Sequence, residues 1–406
     1  MRRLPRCPAR LASLVLAAVA GSALAADEPA SGDAFAPPGL RWDAWTLQPQ
    51  LLVATGHNDN LRLQSAGQRR SAFVALFPTV QLQRQDGSSR LNLGWRAERT
   101  TYLSSRLDDS TNTELSADGI HLLGTRTAVA WRAAGQEWHD SVSQPDPSQP
   151  ALPPDRYLAA AAGLVWRHDL ALAEGASPRL ELDASASRKR YRTQRALTIL
   201  ADADSASLIG RVLVPLAEPE RRAGVELRRL RQRYPNSYQS LSHTDVRLLG
   251  LLQWEPTAEW SGQLQAGPQQ RRFDRLRPTQ GLLSWSGELR WQATPRRSLE
   301  LGGQREASDV PGDGADAVLG TRWQLAWHEQ WGATRASLTL AQVRSHYVNG
   351  FQPRDDRLRS ADLALRHDLG RHWQVGLNLG WLQRRSSISG FDFTRQLGSV
   401  VLSTGL

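Results

Sequence analysis

Residues 373–381 read Trp373-Gln374-Val375-Gly376-Leu377-Asn378-Leu379-Gly380-Trp381. The odd positions are apolar and the even ones are polar or glycine. A period of two puts the two tryptophans, Val375, Leu377 and Leu379 on one face of a β-strand, whereas a helix would scatter them around its circumference. Residues 283–293 alternate in the same way. Leu283, Trp285, Leu289, Trp291 and Ala293 share one face with Gly287, and Ser284, Ser286, Glu288, Arg290 and Gln292 share the other.

The unit repeats. A Leu/Val-x-Trp triplet recurs at Leu93/Trp95, Val129/Trp131, Leu164/Trp166, Leu252/Trp254, Leu289/Trp291 and Leu325/Trp327, with tryptophan spacings of 36, 35, 88, 37 and 36. Such a period also suits helical tetratricopeptide repeats, and the alternation decides for strands. One unit is then two strands with a tight turn and a longer loop. Tight connections include residues 86–88, 124–125, 255–259, 294–297 and 368–372. Longer ones include residues 57–70, 104–112, 139–155, 306–317 and 347–357. Nine long and eight short connections join 18 strands. Sixteen is the alternative count, because the alternation fades over residues 192–203.

An even number of strands of about ten residues, with short turns at one end and long loops at the other, describes an antiparallel up-and-down transmembrane β-barrel. The expected fold is therefore all-β, a barrel of 18 strands whose apolar face meets lipid and whose polar face lines a lumen. The eight residues from Trp373 to Trp381 climb about 19 Å at ~3.3 Å per residue and ~45° tilt. Trp285, Trp291, Trp327, Trp373 and Trp381 are the expected aromatic girdle. Glu288, Arg290, Glu300, Gln304, Asp362, Arg366, Gln374, Asn378 and Arg384 are the expected lumen residues. Opposed charges there either set a transverse field or brace the wall. The competing architecture is a periplasmic β-sandwich, which seldom keeps strands so long or loops so unequal.

Three features resist the barrel. Pro78 and Pro268 fall inside expected strands, and a closed barrel has no edge to hold them, so bulges are expected. The alanines before Leu164 read equally well as helix. The final face, Val400, Leu402, Thr404 and Leu406, lacks a terminal aromatic.

Composition narrows the rest. The hydrophobic fraction is 40% and mean hydropathy is -0.46. Beyond the leader no stretch approaches the roughly 18 apolar residues of a membrane helix. The 15 tryptophans are too many for a disordered chain. Residues 1–10 are basic, residues 11–21 apolar, and Ala23-Leu24-Ala25 fits a cleavage site, so residues 1–25 read as a signal peptide cut after Ala25. Residues 26–45 read as a periplasmic linker with Pro29, Pro37 and Pro38, and 46–406 as the barrel. The expected location is the outer membrane of a Gram-negative bacterium.

Cys7, in the leader, is the one cysteine, so disulfides and thiol chemistry are excluded from the mature chain. Removing Arg2, Arg3, Arg6 and Arg10 leaves 46 basic residues against 40 acidic, a balance of +6. Lys189 is the sole lysine. Arginine forks bind carboxylate and phosphate bidentately. The expected partners are outer-membrane lipid and lipopolysaccharide, with an anionic polysaccharide and secretion-machinery proteins as further candidates. Nucleic acid is not expected, because the arginines are spread along the chain without a recognition motif. Two clusters, Arg188/Lys189/Arg190/Arg192 and Arg228/Arg229/Arg231/Arg233, fall near the upper ends of rising strands. They are expected to form a basic rim that attracts anions or meets the anionic leaflet.

Nothing in the sequence suggests an enzyme. The nine histidines form neither His-x-x-x-His nor His-Glu-x-x-His. His243-Thr244-Asp245 beside Ser242 carries no nucleophile elbow. Asp313-Gly314-Ala315-Asp316 lacks the ligand spacing of a calcium loop. No catalytic, cofactor or metal site is expected.

The chain resembles the putative β-barrel porin 2 family, which includes EpsL-like outer-membrane proteins of exopolysaccharide loci. The resemblance is carried by Thr55-Gly56-His57-Asn58-Asp59-Asn60, with its strand-ending Asp-Asn pair, and by Phe77-Pro78-Thr79-Val80-Gln81-Leu82, with proline in the second strand. It continues in Leu289-Arg290-Trp291, residues 301–305, Tyr347, Arg357, residues 363–366 and Arg384-Arg385-Ser386-Ser387, and runs over residues 47–406. It implies an outer-membrane barrel associated with polysaccharide secretion and no catalytic residues. The expected function is a porin-like channel or export-assisting barrel for an exopolysaccharide. The alternatives are a general diffusion porin and a non-conducting scaffold that binds partners through its loops.

Overall fold

Strands form where the sequence alternates and stop where a turn residue breaks the ladder. Gly124, Gly332 and Gly370 have φ of 82°, 57° and 138°, a region that side chains with a Cβ avoid, and each sits in a short connection. The computed structural model describes residues 35, 37–140, 152–170, 177–216, 221–236, 241–274, 277–309, 315–349 and 353–406. The expected signal peptide and half of the expected linker lie outside these residues, as do Asp313 and Gly314.

The strands, in chain order, are β1 (Leu40–Trp42), β2 (Trp45–Asn58), β3 (Ser71–Asp86), β4 (Ser89–Tyr102), β5 (Ser110–Leu123) and β6 (Thr127–His139). Then come β7 (Arg156–Asp169), β8 (Arg179–Tyr191), β9 (Ala203–Pro215), β10 (Arg221–Arg233), β11 (His243–Trp254) and β12 (Trp260–Phe273). The last are β13 (Gln280–Thr294), β14 (Arg297–Ser308), β15 (Ala317–Trp331), β16 (Thr334–Val348), β17 (Arg354–Asp368), β18 (Trp373–Ser386) and β19 (Phe393–Gly405). From β2 onward each strand pairs antiparallel with the next, and β19 returns to β2 through Leu397↔Asn58 and Leu402↔Val53. The result is a closed barrel of 18 strands, which excludes the count of sixteen. Turns such as 87–88, 295–296 and 332–333 lie at one end, and loops such as 59–70, 103–109 and 192–202 at the other. One connection departs from the rule, since the turn-end link between Asp169 and Arg179 is long.

Both prolines are accommodated without a bulge. The β3–β4 ladder runs to Leu76↔Arg99 and resumes at Thr79↔Arg96, so Phe77 and Pro78 are unpaired on that side while Pro78 stays opposite Leu51 on β2. The β11–β12 ladder breaks in the same way between Arg247↔Gln269 and Gly250↔Ala266, with Pro268 still opposite Leu283. Proline lacks one donor, and a gap on one side of the strand removes the need for it. At the second gap the β11 backbone approaches so closely that a Cβ on Gly267 would lie 1.9 Å from the Leu248 carbonyl oxygen.

The alanine-rich stretch before Leu164 is strand β7, not helix. The fading alternation over residues 192–203 is a loop containing a short helix, Arg195–Thr198, and a 3-10 turn, Ile199–Ala201. The expected linker also contains structure. Strand β1 folds back on β2 through Leu40↔Leu47 and Trp42↔Trp45 around Asp43 (φ 52°), and the Gly39 N–H donates to the Leu406 carbonyl at 3.0 Å. The first barrel strand accordingly begins at Trp45.

Register sorts the side chains. Leu289, Leu301, Leu325 and Leu340 stand directly opposite one another on β13 to β16, and Leu377 stands opposite Val400. These positions form the outer face, where large apolar groups are bare: Leu283 is 60% exposed and Leu248 50%. The opposite face holds covered polar groups, and Glu226 has no exposed surface. An apolar belt this extensive on a closed sheet is the signature of lipid as the surrounding solvent.

One arc departs from the expected polar inner face. Ala54, Phe73, Ala75 and Val401 form a buried apolar cluster with Leu52, Phe77, Tyr102 and Leu397 on the inner side of β2, β3, β4 and β19. The reason is local: Phe73-Val74-Ala75-Leu76-Phe77 is apolar on both faces, so one set meets lipid and the other packs inward.

Candidate pore wall

The inner face is built from charge rows that run across strands. Arg167 on β7, Glu181 on β8, Arg211 on β9 and Glu226 on β10 are directly opposite in successive ladders. Arg167 Nε donates to Glu181 Oε1 at 2.9 Å, Arg211 Nη1 to Glu181 Oε2 at 3.3 Å, and Arg211 Nε to Glu226 Oε2 at 2.6 Å. Arg228 Nε completes Glu226 at 3.0 Å. A second network lies beside it. Arg247 joins Asp245 at 3.2 Å and Glu306 at 3.1 Å, and Arg271 joins Asp309 at 2.9 Å. Each buried carboxylate therefore meets a guanidinium, which is the condition for keeping charges out of water.

The expected lumen residues all lie on the face opposite Leu289 and Leu377, in two arcs. On β13 and β14, Arg290 is cross-strand from Glu300 with 3.5 Å between Nε and Oε1. Glu288 accepts from Gln263 at 3.4 Å, and Gln304 stands opposite Ser286. On β17 and β18, Asp362 stands opposite Gly380, and Arg366 donates to the carbonyls of Leu365 and Leu377. Gln374 donates to Asp368 at 2.7 Å, Asn378 to Ser399 at 3.3 Å, and Arg384 to the Phe391 carbonyl at 2.7 Å. Sequence reasoning missed Arg211 and Glu226, since only the ladder register shows that they meet, and it weighed Asp245 as a neighbour of His243 rather than as the partner of Arg247.

The expected girdle tryptophans share the outer face. Trp285 packs on Trp323 with centroids 5.2 Å apart, Trp291 stacks on Trp260 at 5.8 Å, and Trp327 meets Trp331 at 6.0 Å. Trp373 stands opposite Thr404, and Trp381 opposite Ala361 and Gln396.

The expected basic rim is not a single surface. Consecutive residues of a strand point to opposite faces, so each cluster is divided. Arg188 and Arg190 point outward and share Asp204, at 3.0 and 2.7 Å. Lys189 points inward, with its ammonium 3.8 Å from the Tyr157 ring centroid, 4.5 Å from that of Tyr191, and 3.2 Å from Asp140. Arg228 is inward on Glu226, whereas Arg229 and Arg231 are outward. Arg231 makes two hydrogen bonds to Asp274 in the loop after β12, and they hold that carboxyl below the usual carboxylate range.

The His243 ring bonds to the Leu241 carbonyl at 2.8 Å rather than to Ser242. Among the described residues no group of His, Cys, Asp and Glu could hold a metal ion, and no helix is long and apolar enough to cross a membrane.

No curated protein matches the chain. Among solved structures, the outer-membrane protein opdK from Pseudomonas aeruginosa is 11% identical, with a TM-score of 0.46 over 89% of this chain and 98% of that one. A BenF-like porin from Pseudomonas fluorescens Pf-5 is 11% identical, with a TM-score of 0.48 over 88% of this chain and 98% of that one. The siderophore receptor PirA from Pseudomonas aeruginosa is 11% identical, with a TM-score of 0.43 over 89% of this chain and 80% of that one. A family model described as "Putative beta-barrel porin 2" matches residues 33–404, a span that takes in all but the last residue of the closed sheet. The chain belongs to that family and is an outer-membrane β-barrel of porin type.

Proposed function

We propose that the barrel is a general diffusion porin for small polar solutes, with Glu288, Arg290, Glu300, Gln304, Asp362, Arg366, Gln374, Asn378 and Arg384 lining the path. The observation that carries this reading is the lateral cancellation of wall charge, seen in the row Arg167–Glu181–Arg211–Glu226. Charges that alternate in sign at hydrogen-bond distance leave a weak net field along the axis, which suits a wall that discriminates little between ions. Planar-bilayer recording of the purified barrel should give open conductance with weak ion selectivity. Removing acid from the wall with Glu300→Gln should move the reversal potential toward anions. A barrel that passes no current would leave the scaffold reading ahead.

Export of an acidic polysaccharide, with secretion-machinery partners, is the narrower reading. Its support is the upper inner wall, where Arg354 stacks 4.4 Å from Tyr347 and 4.2 Å from Phe391, and Arg384 lies 4.6 Å from Phe393. Cation and aromatic faces together suit a charged sugar. An anionic oligosaccharide added to the loop side should then block the current, and the block should weaken in Arg384→Gln. A current indifferent to it would leave the general porin.

A further inference from the structure

Wherever the upper outer face carries two arginines close together, a carboxylate stands with them, with one exception. Arg188 and Arg190 share Asp204, and elsewhere on that face Arg231 has Asp274, Arg156 has Glu137 and Arg99 has Asp109. The exception lies on β16, β17 and β18. Arg344 stands directly opposite Arg357, and Arg357 directly opposite Arg385, so three guanidiniums form one lateral row on the lipid side. Arg359 is one outward step lower on β17, between Gln342 and Gln383, and donates to Gln342 at 3.2 Å. All four arginines are exposed. Among the described residues none of them has a carboxylate partner. Two acids flank the group: Asp355, one row higher, is engaged by His346 at 2.8 Å, and Asp392, in the loop before β19 beside Arg385, accepts from the Ser386 N–H at 2.6 Å. Arg357, Arg359, Arg385 and Gln383 line one depression of about 150 Å³.

Like charges directly opposite across a sheet repel and destabilise the pairing. A row of three such groups implies a counter-charge supplied from outside the chain. Its height says from where. Trp381 is one outward step below Gln383, and Trp323 is opposite Gln342. Two residues of a strand tilted at ~45° rise about 5 Å, so the arginines lie about 5 to 10 Å above the Trp381 level. Below them the outer face is Leu338, Leu340, Leu363, Leu365, Leu377 and Leu379. With the long loops outside, this is the headgroup layer of the outer leaflet, directly above its acyl chains.

We propose that Arg344, Arg357, Arg359 and Arg385 form a docking site for the phosphate of a phosphorylated glycolipid of the outer leaflet, whose acyl chains lie along the leucine face beneath. Guanidinium forks bind phosphate oxygens in pairs, and a multiply charged headgroup relieves the repulsion along the row. The site is on the lipid side, so it stands whether or not the lumen conducts.

The full-length barrel is reconstituted in phosphatidylcholine vesicles and titrated with bis-phosphorylated lipid A, with bound glycolipid counted by native mass spectrometry. Folding of every variant is checked by heat-modifiable gel mobility. The triple variant Arg344→Gln/Arg357→Gln/Arg385→Gln should bind about tenfold more weakly or worse, equivalent to at least ~1.4 kcal/mol. The corresponding triple lysine variant, which keeps charge but loses the fork, should fall between the two. Arg229→Gln removes an outer-face arginine outside the row, flanked by Leu208 and Val246, and should bind like the parent. Dephosphorylated lipid A should bind no better to the parent than to the triple variant. Equal affinity of parent and triple variant for lipid A would overturn the site. Full competition by inorganic phosphate at matched concentration would overturn the glycolipid and leave a simple anion site.

Discussion

Arg211 Nε donates to Glu226 Oε2 at 2.6 Å across the β9–β10 ladder, and the Glu226 side chain has no exposed surface. The same guanidinium reaches Glu181 on the other flanking strand at 3.3 Å. One arginine thus ties three strands together from inside the barrel, using a planar fork whose donors diverge enough to serve two carboxylates. Arg228 supplies Glu226 with its second oxygen's partner.

Removing Arg211 leaves two covered carboxylates short of a partner. Arg211→Ala should destabilise the folded barrel by about 1.5–3 kcal/mol, the scale of a lost hydrogen bond to a charged group, because Arg167 and Arg228 still serve the two carboxylates. Denaturant titration in detergent micelles, followed by gel mobility, measures it. Glu226→Gln keeps the volume and a hydrogen bond and should cost clearly less. Equal losses for the two variants would argue against the bridging Arg211 fork as the cause.

The lipid face gives a second expectation. Leu289→Arg or Leu377→Arg places a cation near the bilayer midplane and should cost about 2–4 kcal/mol. Ser286→Arg, on the inner face opposite Gln304 and Gln265, should cost much less. The yield of heat-modifiable barrel from vesicle refolding reads both. If all three variants refold equally poorly, the face assignment fails.

Topology is testable with thiols, since Cys7 is the one cysteine and precedes the expected cleavage site. Leu107→Cys lies in a loop at the long-loop end and is 40% exposed in the native chain. Gly87→Cys lies in a turn where a side chain meets nothing within 4 Å. A membrane-impermeant maleimide added to intact cells should label the first and spare the second. Labelling at Gly87 alone would reverse the orientation.

Acid should release one loop. The hydrogen bonds from Arg231 depress the Asp274 carboxyl, so the tie is fully present above the ordinary aspartate range, about pH 4, and is lost as pH falls through the depressed value. A spin label on Thr279→Cys, in the same loop, should gain mobility only below that range. Asp274→Asn should make the loop mobile at neutral pH and remove the transition. A mobility change centred near pH 6 would point to a histidine instead.

Much of this architecture was legible in single strands. The alternation in residues 283–293 and 373–381 specified strand, face and barrel, because the direction of a side chain along a strand depends only on the parity of its position. Loop lengths carried the strand count. The inner apolar cluster around Phe73 was also readable, since Phe73 to Phe77 is apolar on both faces. The basic clusters misled because adjacent residues were grouped by proximity in sequence, when parity had already separated Lys189 from Arg188 and Arg190.

Which side chains meet was a different matter. Arg211 and Glu181 are 30 positions apart, and Arg344, Arg357 and Arg385 come from three strands. Their contacts follow from register, and register is the sum of every turn, loop and ladder gap between them. Shifting one connection by a single residue would turn the Arg344–Arg357–Arg385 row into staggered positions on opposite faces. The sequence by itself determined the strands, their faces and the membrane setting. The closed sheet alone decided where charges are cancelled and where three arginines are left facing the leaflet, because lateral neighbours exist only once the ladders are aligned.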